Sequence, residues 1–403
     1  MNISPKERFL DICHFKRPGD LFYFDWFWPE TLEEWIKQGA PKQIVPTVEE
    51  HMWRAGHFLS DYFQFSRWYE LGVGVVARQP PRLDSEINRI NELLISPLRS
   101  VVTPNYEPRI ISEDEHTVIC IDGAGRTIKV FKDNPFKMPM YLDWPVRDRT
   151  TWNEYKKRLD LNTPERWPPD WNAYVQEINK LGEEIPISLS VGSFYGYLRE
   201  WVGTERILYM FYDDPGLIED MMDQMLHLGT EVIKRVLKDI RIDQARFWED
   251  MCYKSGPLIS PAMVRKFMMP RYKKITDLLH SYGVDIIYLD SDGNVEQLIP
   301  LWLESGINYI WPFEVAAGND VVALRKKYGE NLIIGGAIDK RALIKGKEAI
   351  REEVMSKVPF LLEQGGYLPC VDHAVPPDVT FENYCYYINL MREVAGLEKL
   401  SFQ

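Results

Sequence analysis

From Pro186 onward the chain alternates short apolar runs with longer helical stretches, and no other feature limits the fold so much. The runs fall at 187–191, 245–248, 285–289, 308–311, 332–336 and 367–370. Stretches at 204–212, 215–240, 261–282, 295–304, 319–328, 347–364 and 380–394 read as helices between and after them. Such alternation implies parallel strands joined by crossover helices. Together with Leu21–Tyr23, the runs come close to the eight strands of a closed (β/α)8 barrel. The missing strand is expected near 97–103 or 135–142. An open doubly wound sheet would want a glycine-rich phosphate loop after its first strand. The nearest candidate, Val191-Gly-Ser-Phe-Tyr-Gly196, lacks that spacing. The expected class is therefore α/β, a TIM-type barrel.

The N-terminal part is less regular. Residues 4–15 read as a helix opened by Ser4-Pro5. Leu21–Trp28 reads as a strand ending in aromatics around Asp25, and Pro29 opens a helix over 30–38. Residues 40–110 look irregular and helical, with turns such as Gln79-Pro-Pro-Arg82. Thr117–Asp122 and Thr127–Phe131 flank Gly123-Ala-Gly-Arg126, which predicts a β-hairpin. Residues 150–180 look helical and are interrupted by Pro164, Pro168 and Pro169. The expectation is one barrel domain over 1–403, elaborated over 40–180 by helices and the hairpin at 117–131.

Charge narrows the partners. Lys and Arg number 48 and Asp and Glu 60, a net charge of −12, which argues against nucleic acid and anionic membranes. Five cysteines, none in a C-x-x-C pair, fit a reducing cytosol, and the polar start of the chain reads as a helix, not a targeting segment. No run of about eighteen apolar residues is present, so no membrane span is expected. The expected location is cytoplasmic, with a homodimer left open.

Barrel chemistry gathers at the C-terminal ends of the strands. The polar residues there are Asp25, Ser193 with Tyr195, Glu249 with Asp250, Asp290 with Asp292, Glu314, Asp339, and Asp372 with His373. Asp290 and Asp292 stand two apart at the end of an apolar run, so both can face one point. Each residue also has a plainer reading. Glu249 and Asp250 have Arg246 and Lys254 within reach as ion-pair partners, Glu314 could cap the segment after it, and Asp339 most simply caps the helix starting near Lys340. Cys370 reads as a buried core thiol. Asp290, Asp292 and His373 make an N/O donor set that zinc accepts with a position left open for substrate. A metal there would act as a Lewis acid toward an oxygen atom.

Several stretches resemble the uroporphyrinogen decarboxylase superfamily. They are Glu200-Trp-Val-Gly-Thr-Glu-Arg-Ile-Leu208, Tyr212-Asp-Asp-Pro215, Glu249–Pro257, Asp290-Ser-Asp-Gly293, Gly335–Asp339, Gly365-Gly-Tyr367 and Pro376–Asn383. The resemblance covers about 187–395 and is weaker before that. It implies a (β/α)8 barrel. One branch of the superfamily is metal-free and carries an N-terminal R-Q-A-G-R signature, where this chain has Asp20-Leu-Phe-Tyr-Phe-Asp-Trp26. The other branch holds zinc-dependent methyltransferases that work with a corrinoid protein. Their ligands are a His-x-Cys-Gly and a late cysteine, and the matching positions here are Asp290-x-Asp292-Gly293 and His373. The resemblance is nearer to this second branch. It implies methyl transfer from an oxygen substrate, an aryl methyl ether, to cobalamin on a partner corrinoid protein: an O-demethylase. Asp290, Glu249 and Asp25 are the expected catalytic residues, Asp290, Asp292 and His373 the zinc ligands, and Trp26, Tyr195, Phe247, Trp311 and Glu314 the substrate contacts. Two other readings compete. One is a metal-free decarboxylase of a smaller acid, whose mouth should offer basic residues such as Arg199, Lys254 or Arg341. The other is a non-enzymatic barrel that binds a small aromatic or a corrinoid protein.

Overall fold

The computed structural model describes residues 3–44, 57–72, 101–132 and 139–402. The chain divides into two compact units. The first comprises 1–70, 178–189 and 241–403, and the second 71–177 and 190–240. In chain order the strands are β1 (Tyr69–Leu71), β2 (Arg109–Glu113), β3 (Thr117–Ile121), β4 (Thr127–Phe131), β5 (Met140–Asp143), β6 (Ile187–Gly192), β7 (Gln244–Trp248), β8 (Cys252–Tyr253), β9 (Gly256–Pro257), β10 (Ile286–Asp290), β11 (Tyr309–Trp311), β12 (Ile333–Ile338) and β13 (Tyr367–Val371).

A seven-stranded sheet runs in the order β1-β6-β7-β10-β11-β12-β13. From β7 to β13 every neighbouring pair is parallel, with Asp290 level with Trp248 on one side and Trp311 on the other. These strands are apolar runs because each is covered on both faces. The six runs read from the sequence are all present.

Within the first unit the ring is closed by Leu21–Trp28, which is extended but not a full strand. On one side the Tyr23 amide donates to Ser66 Oγ at 3.1 Å, and the Ser66 amide donates to the Tyr23 carbonyl at 2.8 Å. On the other side the Val375 amide donates to the Trp26 carbonyl at 2.7 Å, and Phe27 bridges Val375 in parallel. This segment is one of eight staves, and the chain has a (β/α)8-barrel fold. The strand left unplaced by sequence is β1. Residues 101–103 form no strand, and Met140–Asp143 belongs to another sheet, while 97–100 and 135–138 lie outside the described residues. The helix at Pro5–Cys13 has a reciprocal cap, with Ser4 bonded to the Glu7 amide and Glu7 to the Ser4 amide. The stretch 347–364 is two helices, because Pro359 starts the second.

The second unit carries the antiparallel sheet β2-β3-β4-β5 around the hairpin, with a core of Val118, Cys120, Ile128 and Val130. Asp122 and Arg126 at its turn form a buried pair at 2.8 Å. The helices Gly196–Val202, Thr204–Asp213 and Pro215–Asp239 belong to this unit. No helix among the described residues is long and apolar enough to cross a membrane.

Candidate active site

The strands of the first unit deliver most of the polar residues expected from sequence. Arg246 lies mid-strand in β7 and is almost wholly buried. A charge on a buried strand must be paired. Its guanidinium donates to Glu70 of β1 at 3.0 and 3.1 Å and to Asp290 at the end of β10. Burial alone would pull the arginine down, but Glu70 and Asp290 hold it raised. The plainer alternative in which Arg246 pairs with Glu249 or Asp250 gives way, since this side chain is committed to strands on either side of its own.

Past β10 the chain turns at Gly293, whose φ is +81°. A Cβ there would come within 2.7 Å of the Cys252 carbonyl carbon, so only glycine lets the loop lie this close. The Gly293 amide donates to Glu314 Oε2 at 2.8 Å. Asp292 is thereby set among Asp250, Asp290 and Glu314. Burial, then the charges of these three, push its carboxyl up to about 8. His373 Nε2 stands 3.7 Å from Asp292 Oδ2, and the His373 ring stacks on Trp28 at 6.4 Å. Burial and then the nearby Lys340 charge lower the imidazole. Lys340 Nζ lies 3.6 Å from Glu314 and 3.5 Å from Asp372. Asp372 is fully buried and also accepts from the Val315 amide at 2.9 Å.

The other predicted residues are spread around this centre. Glu249 is fully buried, and its amide donates to the Asp290 carbonyl at 2.9 Å. Trp26 and Trp311 pack together with ring centroids 4.8 Å apart. Phe247 alternates with Arg246 along β7 and packs edge-on to Tyr272 of the helix Met269–Ser281, on the helix side of the strand. Asp25 accepts from the Val371 amide and from the Tyr384 hydroxyl, each at 2.6 Å. Burial pushes its carboxyl up to about 7, with those two bonds opposing. Tyr195 falls in the second unit, stacked near Phe211 at 6.5 Å. Asp339 caps the helix Lys340–Lys345 and pairs with Arg341 at 2.7 Å. Cys370 accepts from the Trp311 indole at 2.9 Å in the core.

As placed, Asp290, Asp292 and His373 do not fit a metal ion. Asp290 is bonded to a guanidinium, and among the described residues no three His, Cys, Asp or Glu side chains converge as a cage. The arrangement can instead hold and move a proton between Asp292 and His373, inside an acidic rim whose cations are already engaged. Glu70, Arg246 and Lys340 were not among the residues expected to form the site. Arg246 had a signal, a charge inside an apolar run. Glu70 had none.

The family model described as Uroporphyrinogen decarboxylase (URO-D) matches residues 137–394. A uroporphyrinogen decarboxylase of Hordeum vulgare is 22% identical over 272 residues, which are 64% of this chain and 76% of that protein. Uroporphyrinogen decarboxylase 2, chloroplastic, of Oryza sativa subsp. japonica is also 22% identical over 272 residues, and the match spans 64% of its length, under two thirds. Among solved structures, a methyltransferase from Methanosarcina mazei superposes with a TM-score of 0.58 at 13% identity, over 97% of this chain and 99% of that one.

Proposed function

Because the chain belongs to the uroporphyrinogen decarboxylase family, we propose that it is an enzyme of that fold which moves a methyl group from an oxygen substrate to a corrinoid carried by a partner protein. One observation carries the reading. Asp250, Asp292 and Glu314 crowd the strand ends, while Arg246 is taken by Glu70 and Asp290, and Lys340 by Glu314 and Asp372. Such a rim repels a substrate bearing several carboxylates and suits a neutral donor such as an aryl methyl ether. Of the arginines and the lysine expected to hold a substrate acid, Arg341 is paired with Asp339.

In this reading Asp292 stands at the ether oxygen. The carbon–oxygen bond breaks, the methyl group leaves to the acceptor, and the oxygen takes the Asp292 proton to become a phenol. A proton taken up from solvent by His373, 3.7 Å away, then passes to the Asp292 carboxylate and restores it. Trp28, stacked on His373, and the Trp26–Trp311 pair offer faces for the ring. The corrinoid would supply the nucleophile when its protein docks.

The test is loss of the reduced cob(I)alamin absorbance on mixing the full-length protein with free cob(I)alamin and a panel of methoxyarenes. Methyl transfer that falls at least tenfold in Asp292→Asn is the expected result. The family name and the named plant relatives favour a second reading, decarboxylation of a smaller acid. No transfer across the panel, with carbon dioxide released from a carboxylate panel, would replace the first reading by the second.

A further inference from the structure

The acids at the strand ends need positive charge if they are to stay ionised side by side. A divalent ion is one way to supply it. This chain has another, drawn from its own side chains. Arg246 bridges Glu70 on β1 and Asp290 on β10, and all three side chains are no more than 10% exposed. Lys340, more exposed, lies between Glu314 at 3.6 Å and the fully buried Asp372 at 3.5 Å. Each cation is held by two carboxylates from different elements, which is the arrangement of a built site and not of a chance surface pair.

We infer that Arg246 and Lys340 are the resident cations of this mouth and occupy the electrostatic place of a metal ion, so that Asp290, Asp292 and His373 hold no zinc. The geometry of Asp290 weighs most. Arg246 already takes Asp290 Oδ2, so a metal could reach only the other oxygen, and its charge would then stand beside a buried guanidinium that Glu70 and Asp290 already neutralise. Lys340 adds a second obstacle, because its ammonium lies near the His373 ring that would be the only nitrogen ligand. The planar guanidinium suits this role better than an ammonium would, since it can face Glu70 with one nitrogen and Asp290 with another. Arg246 and Lys340 are positioning residues here: they set the charge around Asp292 without touching the substrate.

The inference goes beyond the methyl-transfer reading and fails separately from it, because it is read from metal content and melting temperature, not from turnover. Full-length protein is equilibrated with zinc, desalted, and its metal counted by mass spectrometry, alongside Asp290→Ala and His373→Ala. Melting curves are recorded for zinc-loaded and chelator-treated samples. The expected result is well under one zinc per chain and no change in melting temperature on chelation. Zinc that persists equally in both variants is bound elsewhere and leaves the inference standing. Stoichiometric zinc that disappears in Asp290→Ala or His373→Ala overturns it, as does a chelator-induced fall in melting temperature that Asp290→Ala lacks.

Discussion

Two buried carboxylates of the first unit, Asp25 and Asp290, are kept in opposite ways. Asp290 faces a guanidinium on the neighbouring strand. Among the described residues Asp25 faces no cation. It accepts from one backbone amide and one phenol, and its carboxyl rises to about 7. The difference follows from what each joins. Asp25 ties the irregular closing stave, Leu21–Trp28, to β13 and to the helix Phe381–Val394 through Tyr384, where hydrogen bonds suffice. Asp290 ends a strand at the mouth, where several acids meet and a cation offsets part of their repulsion. The barrel thus closes its seam with a carboxyl that can go neutral and frames its mouth with one that is paired.

If this is right, removing the cation should cost more than any change at Asp25. Arg246→Met leaves Glu70 and Asp290 buried without their guanidinium, and breaking a buried ion pair from one side costs about 3–5 kcal/mol. Glu70→Gln keeps the Asp290 contact and should cost roughly 1–3 kcal/mol, as for loss of a hydrogen bond to a charged group. Urea unfolding of both variants checks the order. A loss within about 1 kcal/mol for Arg246→Met, the scale of an exposed pair, would mean that the bridge contributes no more than a surface contact.

The same contrast explains what the sequence disclosed. The six parallel strands after Pro186 were legible because strands covered on both faces must be apolar runs. Asp339 was legible because a helix cap is a local event, with its partner Arg341 two residues away. Strand β1 was not, since three residues centred on Glu70 make no run, and what fixes that glutamate is an arginine 176 residues away. The Asp290-Ser-Asp-Gly293 turn was read as a pair of acids facing one point. The structure keeps the two acids close enough to feel each other's charge but gives them different partners, Asp290 the Arg246 guanidinium and Asp292 the His373 ring. Sequence spacing fixes where a side chain starts along a strand. It says nothing of a cation arriving from the next strand.

Asp25 offers the second test, through pH. Its folded-state value of about 7 lies above the ordinary 3.8. Between those values the folded protein holds a proton that the unfolded chain has released. Its contribution to stability is therefore fully present below about pH 4 and is lost as pH rises through 7, by on the order of 4 kcal/mol in all. Asp25→Asn keeps an acceptor for the Val371 amide and offers an N–H to the Tyr384 oxygen. It should remove this slope and leave the variant at least as stable as the parent at pH 8. Unfolding at pH 5, 6, 7 and 8 decides the matter, and parallel slopes for parent and variant would show that Asp25 is already ionised in the fold. Asp25→Ala strands both partners and should cost about 1–3 kcal/mol near neutral pH.

A third carboxylate sets the scale for both. Asp339 pairs with Arg341 at 2.7 Å, as close a contact as those at the mouth, but the arginine is 54% exposed. Water and salt already satisfy much of what the pair provides, so Arg341→Gln should change stability by about 0.5 kcal/mol or less, and by less still in high salt. Asp339 would keep its cap, because its bond to the residue-341 backbone amide survives the substitution. Thermal melts of Arg341→Gln and Arg246→Met in low and high salt make the comparison direct. Burial and not distance should govern the outcome: the exposed pair should respond to salt and hardly to substitution, and the buried bridge the reverse. If the two variants lose similar amounts, bond length alone would be setting the strength, and the distinction drawn between mouth and surface would fall.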